Sequence, residues 1–260
     1  MYTKNDIINS LIDIGIKQTD TLMVHSSMKS IGEVENGADT VLDAFIEYMG
    51  DGLLIFPTHT WAQINDQHNT FTPETDPSCV GILSNLFLKR PNVIRSWHPT
   101  HSIAARGKDA VEFASGEELW DTSCPRGGCL GKLYDRNAKI LFLGCSLKKN
   151  TFLHGVEEWN NIPQRRTDTY LQLKIITPNS EVIDRPIRGI YSPLGDVSEH
   201  YDKMQKPFIY TSIAKKGLIG DAESWLCDAV GMADLTTSFL KRNPDLFADD
   251  NDIPTQWYIK

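Results

Sequence analysis

Three short apolar runs, each closing into a cluster of His, Ser, Thr and Lys, constrain this chain more than any other feature. "TLMV" leads into "HSSMKSIG", "LLIF" into "PTHTW", and "ILFLG" into "CSLKKNTFLHGVEE". Between the first two lies "GADTVLDAFIEYMG", with Val41, Leu42, Phe45, Ile46 and Met49 at helical spacing and Gly50 as a stop. Strand, helix, strand in that order implies a parallel pair with a right-handed crossover. A further polar cluster, "RSWHPTHS", precedes the similar run "SIAARG".

The rest of the pattern agrees. Lys4 to Ile16 carries Ile7, Ile8, Leu11 and Ile12 at the spacing of an amphipathic helix. "TYLQLKIIT" and "PIRGIYS" alternate like antiparallel strands, whereas the last sixty residues, including "DAESWLCDAVGMADLTTSFLKRN", read as helix. The expected fold class is α/β, a central mixed and partly parallel sheet flanked by helices, with a helical C-terminal region. No internal repeat or low-complexity linker divides residues 1–260, so a single domain is expected. Ligands of such sheets gather at the carboxyl ends of the parallel strands, which is where the polar clusters stand.

Composition narrows the function classes. Lys and Arg number 26 against 34 Asp and Glu, a net charge of -8 without any run of five like charges. That excludes the basic face of a nucleic-acid binder and suits a cationic ligand. Asp6 and Asp13 interrupt any signal-peptide core at the N-terminus. The longest apolar stretches are far too short to span a bilayer, so no membrane partner is expected. Five cysteines, an odd number, read as reduced thiols in a cytoplasmic protein. "CPRGGC" lacks the CxxC spacing of a zinc site, so no metal is expected there.

The stretch "NTFLHGVEEW", Asn150 to Trp159, carries the chemistry. With Asn150 or Thr151 as cap, Phe152, Leu153, Val156 and Trp159 form one apolar stripe. His154, Glu157 and Glu158 fall on the opposite face, each carboxylate within reach of the imidazole. A carboxylate there holds the tautomer and stabilises the imidazolium formed when histidine accepts a proton. The plain alternative is a solvated helix face, and the pattern alone does not choose between Glu157 and Glu158. In "HSSMKSIG", small hydroxyl residues, Gly32 and Lys29 suit phosphate oxygens, although neither GxxxxGK[ST] nor GxGxxG is present. His98 and His101 in "RSWHPTHS" suggest a zinc pair, without HExxH or an adjacent acid.

Taken in order, these clusters resemble the antibiotic N-acetyltransferase family, best known for the aminoglycoside 3-N-acetyltransferases. The likeness runs from Gly15 to Arg166 through "GIKQTDTLMVHSSMKSIG", "GADTVLDAF", "LLIFPTHTW", "RSWHPTHSIAARG", "LGKL" and "ILFLGCSLKKNTFLHGVEE". Gly128 and Cys129 stand where family members often carry Ser-Pro. The resemblance implies acetyl-coenzyme A as co-substrate, without a metal, and the 3-amino group of the 2-deoxystreptamine ring of aminoglycoside antibiotics as acceptor, giving resistance. It places the catalytic histidine on His154 and its glutamate on Glu157, with His25 near the reacting groups. Coenzyme contacts fall on Ser26, Ser27, Lys29, Ser30, Arg95, Ser96, His98 and Ser102. Loop position adds Asp66, Glu118, Asp121 and Asp168 as carboxylates for the acceptor's ammonium groups, with Glu158 free to join them. Direct transfer needs no acetyl-enzyme, and the Ser26–Ser27 turn offers donors to the oxyanion. A monomer or homodimer is expected. The rival readings are an acetyltransferase for another amino sugar, a non-catalytic binding protein, and a zinc hydrolase using His98, His101 and His154.

Overall fold

A computed structural model describes residues 1–259. The chain opens with helix α1 (Lys4–Ile14), closed at its start by a reciprocal cap: Thr3 Oγ1 accepts from the Asp6 amide, and the Asp6 carboxylate accepts from Thr3. At its end Gly15 turns left-handed, at φ 102°, and its N–H meets the last carbonyls. Then follow β1 (Thr21–Ser26), α2 (Ala38–Tyr48), β2 (Leu53–Pro57), β3 (Thr70–Phe71), α3 (Ile82–Phe87), β4 (Ile94–Arg95) and β5 (Ile103–Gly107). The middle of the chain forms α4 (Ala110–Ala114), α5 (Cys129–Asp135), β6 (Lys139–Leu143), α6 (Thr151–Trp159), β7 (Lys174–Ile176) and β8 (Val182–Asp184). The last part is a 3₁₀ helix at Val197–Met204, α7 (Gln205–Tyr210), β9 (Ala214–Ile219), β10 (Ala222–Asp228) and α8 (Ala229–Leu240).

Seven strands form one mixed sheet in the order β4-β5-β2-β1-β6-β10-β9. Its centre, β2-β1-β6, is parallel, as the strand-helix-strand reading requires. The apolar runs are continuous because both faces are covered. Along β2, Leu53 and Ile55 face one core while Leu54 and Phe56 face the other; Ile140 and Phe142 alternate with Leu141 and Leu143 on β6 in the same way. Helices α1 and α2 supply one core, and α6 and α8 the other. A small sheet, β3-β7-β8, takes β7 from the first alternating segment and pairs it antiparallel with β8, whereas "PIRGIYS" forms only isolated bridges such as Leu171 to Ile187.

The C-terminal region is helical at α7 and α8 and departs from the helical reading in the stretch between them. Ala214–Ile219 and Ala222–Asp228 form an antiparallel hairpin that extends the main sheet beside β6, between the helices α7 and α8. "AESWLCD" sends Trp225 and Cys227 to one core and Ala222 and Leu226 to the other, so its apolar pattern does not separate a short buried strand from a helix. The two-residue Gly220–Asp221 turn was the available signal, with Gly220 at φ 57°. Among the described residues no helix is long and apolar enough to cross a membrane.

Strand direction gathers the site. β1, β2 and β6 end on the same edge of the sheet, delivering His25 and Ser26, then His59, then Cys145. β5 runs antiparallel to β2, with Ile103 opposite Pro57, so the start of β5 brings Thr100 and His101 to that same edge. The β2–β5 pair depends on a close backbone approach at its far end. Gly107 stands at φ 111°, and a Cβ there would collide with the Gly52 carbonyl. Gly107→Ala should therefore lower unfolding free energy by about 1–3 kcal/mol, measurable as a fall in the urea midpoint at unchanged slope.

Candidate active site

The gathered edge borders a cavity of about 870 Å³, walled by the ends of β1, β2 and β6, the start of α6, and residues 189–199. His154, in the first turn of α6, faces it. Its Nδ1 lies 2.8 Å from the Tyr201 hydroxyl, which donates to Glu157 Oε2 at 2.6 Å. With that single hydroxyl proton committed to the carboxylate, Nδ1–H must be the donor to the tyrosine oxygen. Nε2 is then the nitrogen with a free lone pair. Glu157 Oε2 is 3.8 Å from Nδ1, so the carboxylate orients the imidazole mainly through Tyr201. Glu157 Oε1 accepts from Arg165 Nε at 2.8 Å.

Burial pushes His154 down to about 4; Asp196 pulls it back and Arg165 pushes it lower still. The ring is therefore a neutral base at neutral pH. Burial raises the Glu157 carboxyl, opposed by its hydrogen bonds to Tyr201 and Arg165. Burial and the adjacent Glu157 push the Tyr201 hydroxyl well up, so it keeps its proton. The helix is not a solvated face. Glu157 and Glu158 are buried and His154 is half-buried at the cavity, because the 3₁₀ helix and the segment around Thr122 cover the side opposite Phe152 and Val156.

Three more imidazoles line the cavity. His25 stacks on Phe142 at 5.2 Å, its buried Nε2 has no hydrogen-bond partner, and burial lowers it to about 4. His59 Nε2 meets the Thr151 hydroxyl and its Nδ1 the Ser102 carbonyl, both at 3.2 Å; burial, then His25, bring it to about 3. His101 lies 5.0 Å from His59 between ring centres, and burial holds it well below its ordinary value.

The expected coenzyme residues divide. Ser26 and Ser27 line the cavity. Lys29 is exposed and does not line it, and Ser30 Oγ bonds Ser27 Oγ and the Gly144 carbonyl, both at 3.0 Å. Arg95, Ser96, His98 and Ser102 stand behind the wall rather than on it. Arg95 bonds Ser102 Oγ and the carbonyls of Thr58, Pro73 and Asp76, with its guanidinium 4.9 Å over Phe71. Ser96 Oγ accepts from the Ile103 amide, and Ser102 Oγ donates to the Thr58 carbonyl. His98 Nε2 donates to the Thr122 carbonyl at 2.9 Å while Nδ1 accepts from the amides of Thr100 and His101. Neither nitrogen of His98 is left for zinc, and among the described residues no three His, Cys, Asp or Glu side chains are placed to hold a metal. The segment builds the turn that presents Thr100 and His101.

The carboxylates chosen by loop position lie elsewhere. Asp66, Asp121 and Asp168 are exposed, Glu118 is half-buried, and none lines the cavity. Asp121 accepts from the Tyr170 hydroxyl instead. Glu158 is corrected as an acceptor contact: its oxygens take the Thr122 hydroxyl and the Cys124 amide, tying α6 to that loop. The carboxylates on the wall are Asp196 and Glu199. Asp196 was legible as a cap, since it precedes Ser198 in "DVS" and accepts from that residue's amide and hydroxyl. Gly128 and Cys129 do not reach the cavity.

This α/β frame is shared with a known family of acetyltransferases. The family model described as aminoglycoside 3-N-acetyltransferase matches residues 23–241, and the chain belongs to that family. It is 27% identical to the aminoglycoside N(3)-acetyltransferase IX of Micromonospora chalcea, over 87% of this chain and 89% of the relative. The fold matches AAC-IIIb in a binary complex with CoASH at TM-score 0.81 and 23% identity, covering 93% of this chain and 97% of that one. It also matches a histidine-to-alanine mutant of AAC(3)-IVa in complex with a gentamicin, at TM-score 0.81 and 24% identity, covering 95% and 91%.

Two expectations follow. Arg95→Met strands several buried carbonyls, so stability should fall by about 3 kcal/mol in urea titration while the coenzyme A affinity of the folded fraction changes little. The cavity histidines with folded pKa values of about 3 to 4 bind fewer protons than the unfolded chain as pH falls below 6.5. Their contribution to stability is complete above about 6.5 and is lost as pH falls toward 4. The urea midpoint should accordingly decline steeply between pH 6.5 and 4.5; a flat profile would contradict the buried neutral rings.

Proposed function

We propose that the chain is an acetyl-coenzyme A-dependent N-acetyltransferase, acting as a single cytoplasmic domain, with His154 as general base. The observation that carries this reading is the His154–Tyr201–Glu157 chain of hydrogen bonds on the cavity wall. Such an arrangement leaves Nε2 free to take a proton and stabilises the imidazolium that results. A pure binding protein has no use for it.

The reaction runs by direct transfer. The protonated amine first loses one proton to water, and the free amine adds to the thioester carbonyl. As the N–C bond forms, Nε2 takes the second proton, a role worth roughly 10²–10⁴ in rate. The oxyanion needs donors. The Ser27 amide is already given to the Leu143 carbonyl, whereas the Ser123 hydroxyl is buried on the cavity wall without a partner, so Ser123 and the Ser26 hydroxyl fill that role. The C–S bond then breaks, and coenzyme A leaves with the proton that His154 returns. Cys79 and Cys145 also face the cavity, but burial pushes both thiols up, Cys145 to about 12, which suits neither as nucleophile.

The CoASH-bound fold neighbour supports acetyl-coenzyme A as donor. The relative's name and the gentamicin-bound neighbour support the 3-amino group of 2-deoxystreptamine aminoglycosides as the first acceptor to test, with resistance as the outcome.

His154→Ala should nearly abolish free-thiol release while calorimetry still reads coenzyme A binding; turnover within a few-fold of wild type would remove His154 from this role. Tyr201→Phe keeps the ring packing but cuts the hydrogen-bond chain, so kcat should fall at least about tenfold with KM little changed. Because only the neutral ring accepts a proton, the inflection of kcat/KM that belongs to His154 should lie near pH 4 rather than 6.5, separate from that of the amine itself.

A further inference from the structure

Charge on the cavity wall limits which amines fit. Among the described residues two carboxylates line it, Asp196 and Glu199, together with two ammonium groups, Lys148 and Lys149. Glu199 is already paired with Lys148 Nζ at 2.9 Å. Asp196 is therefore the one wall carboxylate without a lysine within ion-pair distance, and Lys149 the one ammonium without a carboxylate there. The formal charge of these four side chains cancels. Glu157 and Glu158 are buried and fully engaged behind the wall. Besides the four imidazoles and the hydroxyls of residues such as Ser26, Ser27, Ser123 and Thr151, the wall carries an apolar and aromatic patch. Trp61 and Tyr191 are 54% and 48% exposed at the cavity, with Ile64, Leu171 and Ile190 lining it beside them.

A polycation brings several ammonium groups to such a wall. One meets Asp196; the others lose water without a carboxylate and approach Lys149, which costs free energy. An amine with one charge makes the Asp196 contact and covers apolar surface with the rest of its body. We propose that the acceptor this site serves best is a monocationic amine with an apolar or aromatic body, its ammonium held by Asp196 and its body against Trp61, Ile64 and Tyr191. This rests on the reading of the cavity as an N-acetyltransferase site and names the acceptor class within it.

The test compares phenethylamine and glucosamine with gentamicin and kanamycin. Initial rates with acetyl-coenzyme A are read as free thiol, and calorimetry titrates the same amines into the coenzyme A complex. Phenethylamine should lead, with at least about tenfold higher kcat/KM and tighter binding than either polycation. Asp196→Asn should weaken phenethylamine binding about fivefold or more without altering coenzyme A affinity, as for a charge-assisted contact. Lys149→Glu, which leaves the Asp196 cap intact, should narrow the gap in favour of gentamicin. Tighter binding of gentamicin or kanamycin by the wild type, or an unchanged preference in both variants, overturns the proposal. Binding is read without turnover, so the two ideas separate. Monoamine preference with full activity in His154→Ala sinks the base assignment alone, and polycation preference with an inactive His154→Ala sinks this acceptor class alone.

Discussion

A carboxylate that is 1% exposed holds the site and much of the second core together. Glu157 would be too costly to bury alone, since a desolvated charge needs an opposite charge and a full set of hydrogen bonds. It has both: Arg165 on one oxygen and Tyr201 on the other. Those partners come from different segments, so one buried group fixes α6, the stretch after it and the Val197–Met204 helix relative to each other. Tyr201 also packs edge-on to His154 and to Phe247, extending the same constraint into the C-terminal segment. Orientation of the base and packing of the core are thus one interaction.

The electrostatic character of the cavity follows from the way its walls are built. Strand ends supply His25 and His59, and the reversed β5 supplies His101, all buried deeply enough to remain uncharged. A group of imidazoles normally risks accumulating positive charge. Here desolvation prevents it, so an incoming amine meets polar but neutral rings, with His154 differing from the others by its hydrogen-bonded relay.

What the sequence discloses depends on distance along the chain. The parallel centre of the sheet was legible because each apolar run is bounded by polar residues and separated by a periodic helix. His154 and Glu157 were legible because they lie three residues apart on one helix. Tyr201 was not, since it lies 47 residues from His154 and nothing local marks it. The roles of Arg95 and His98 were hidden for a related reason: a buried arginine bonded to carbonyls and an exposed arginine that binds phosphate are spelled alike. The hairpin β9–β10 was obscured by burial on both faces, although its Gly-Asp turn was in view.

The main sheet also ends itself. Its outer strand β4 is only two residues long, too short to template another strand. The opposite outer strand, β9, carries Lys215 and Lys216. The first reaches back to the Asp13 carbonyl at the end of α1, and the second pairs with Glu223 and lies over the Trp225 ring. Docking a further strand there means desolvating two ammonium groups. The hydrogen-bonding edges are blunted on both sides, one by brevity and one by charge, so this architecture resists growth by strand addition and leaves helices and loops as the surfaces through which it meets other molecules.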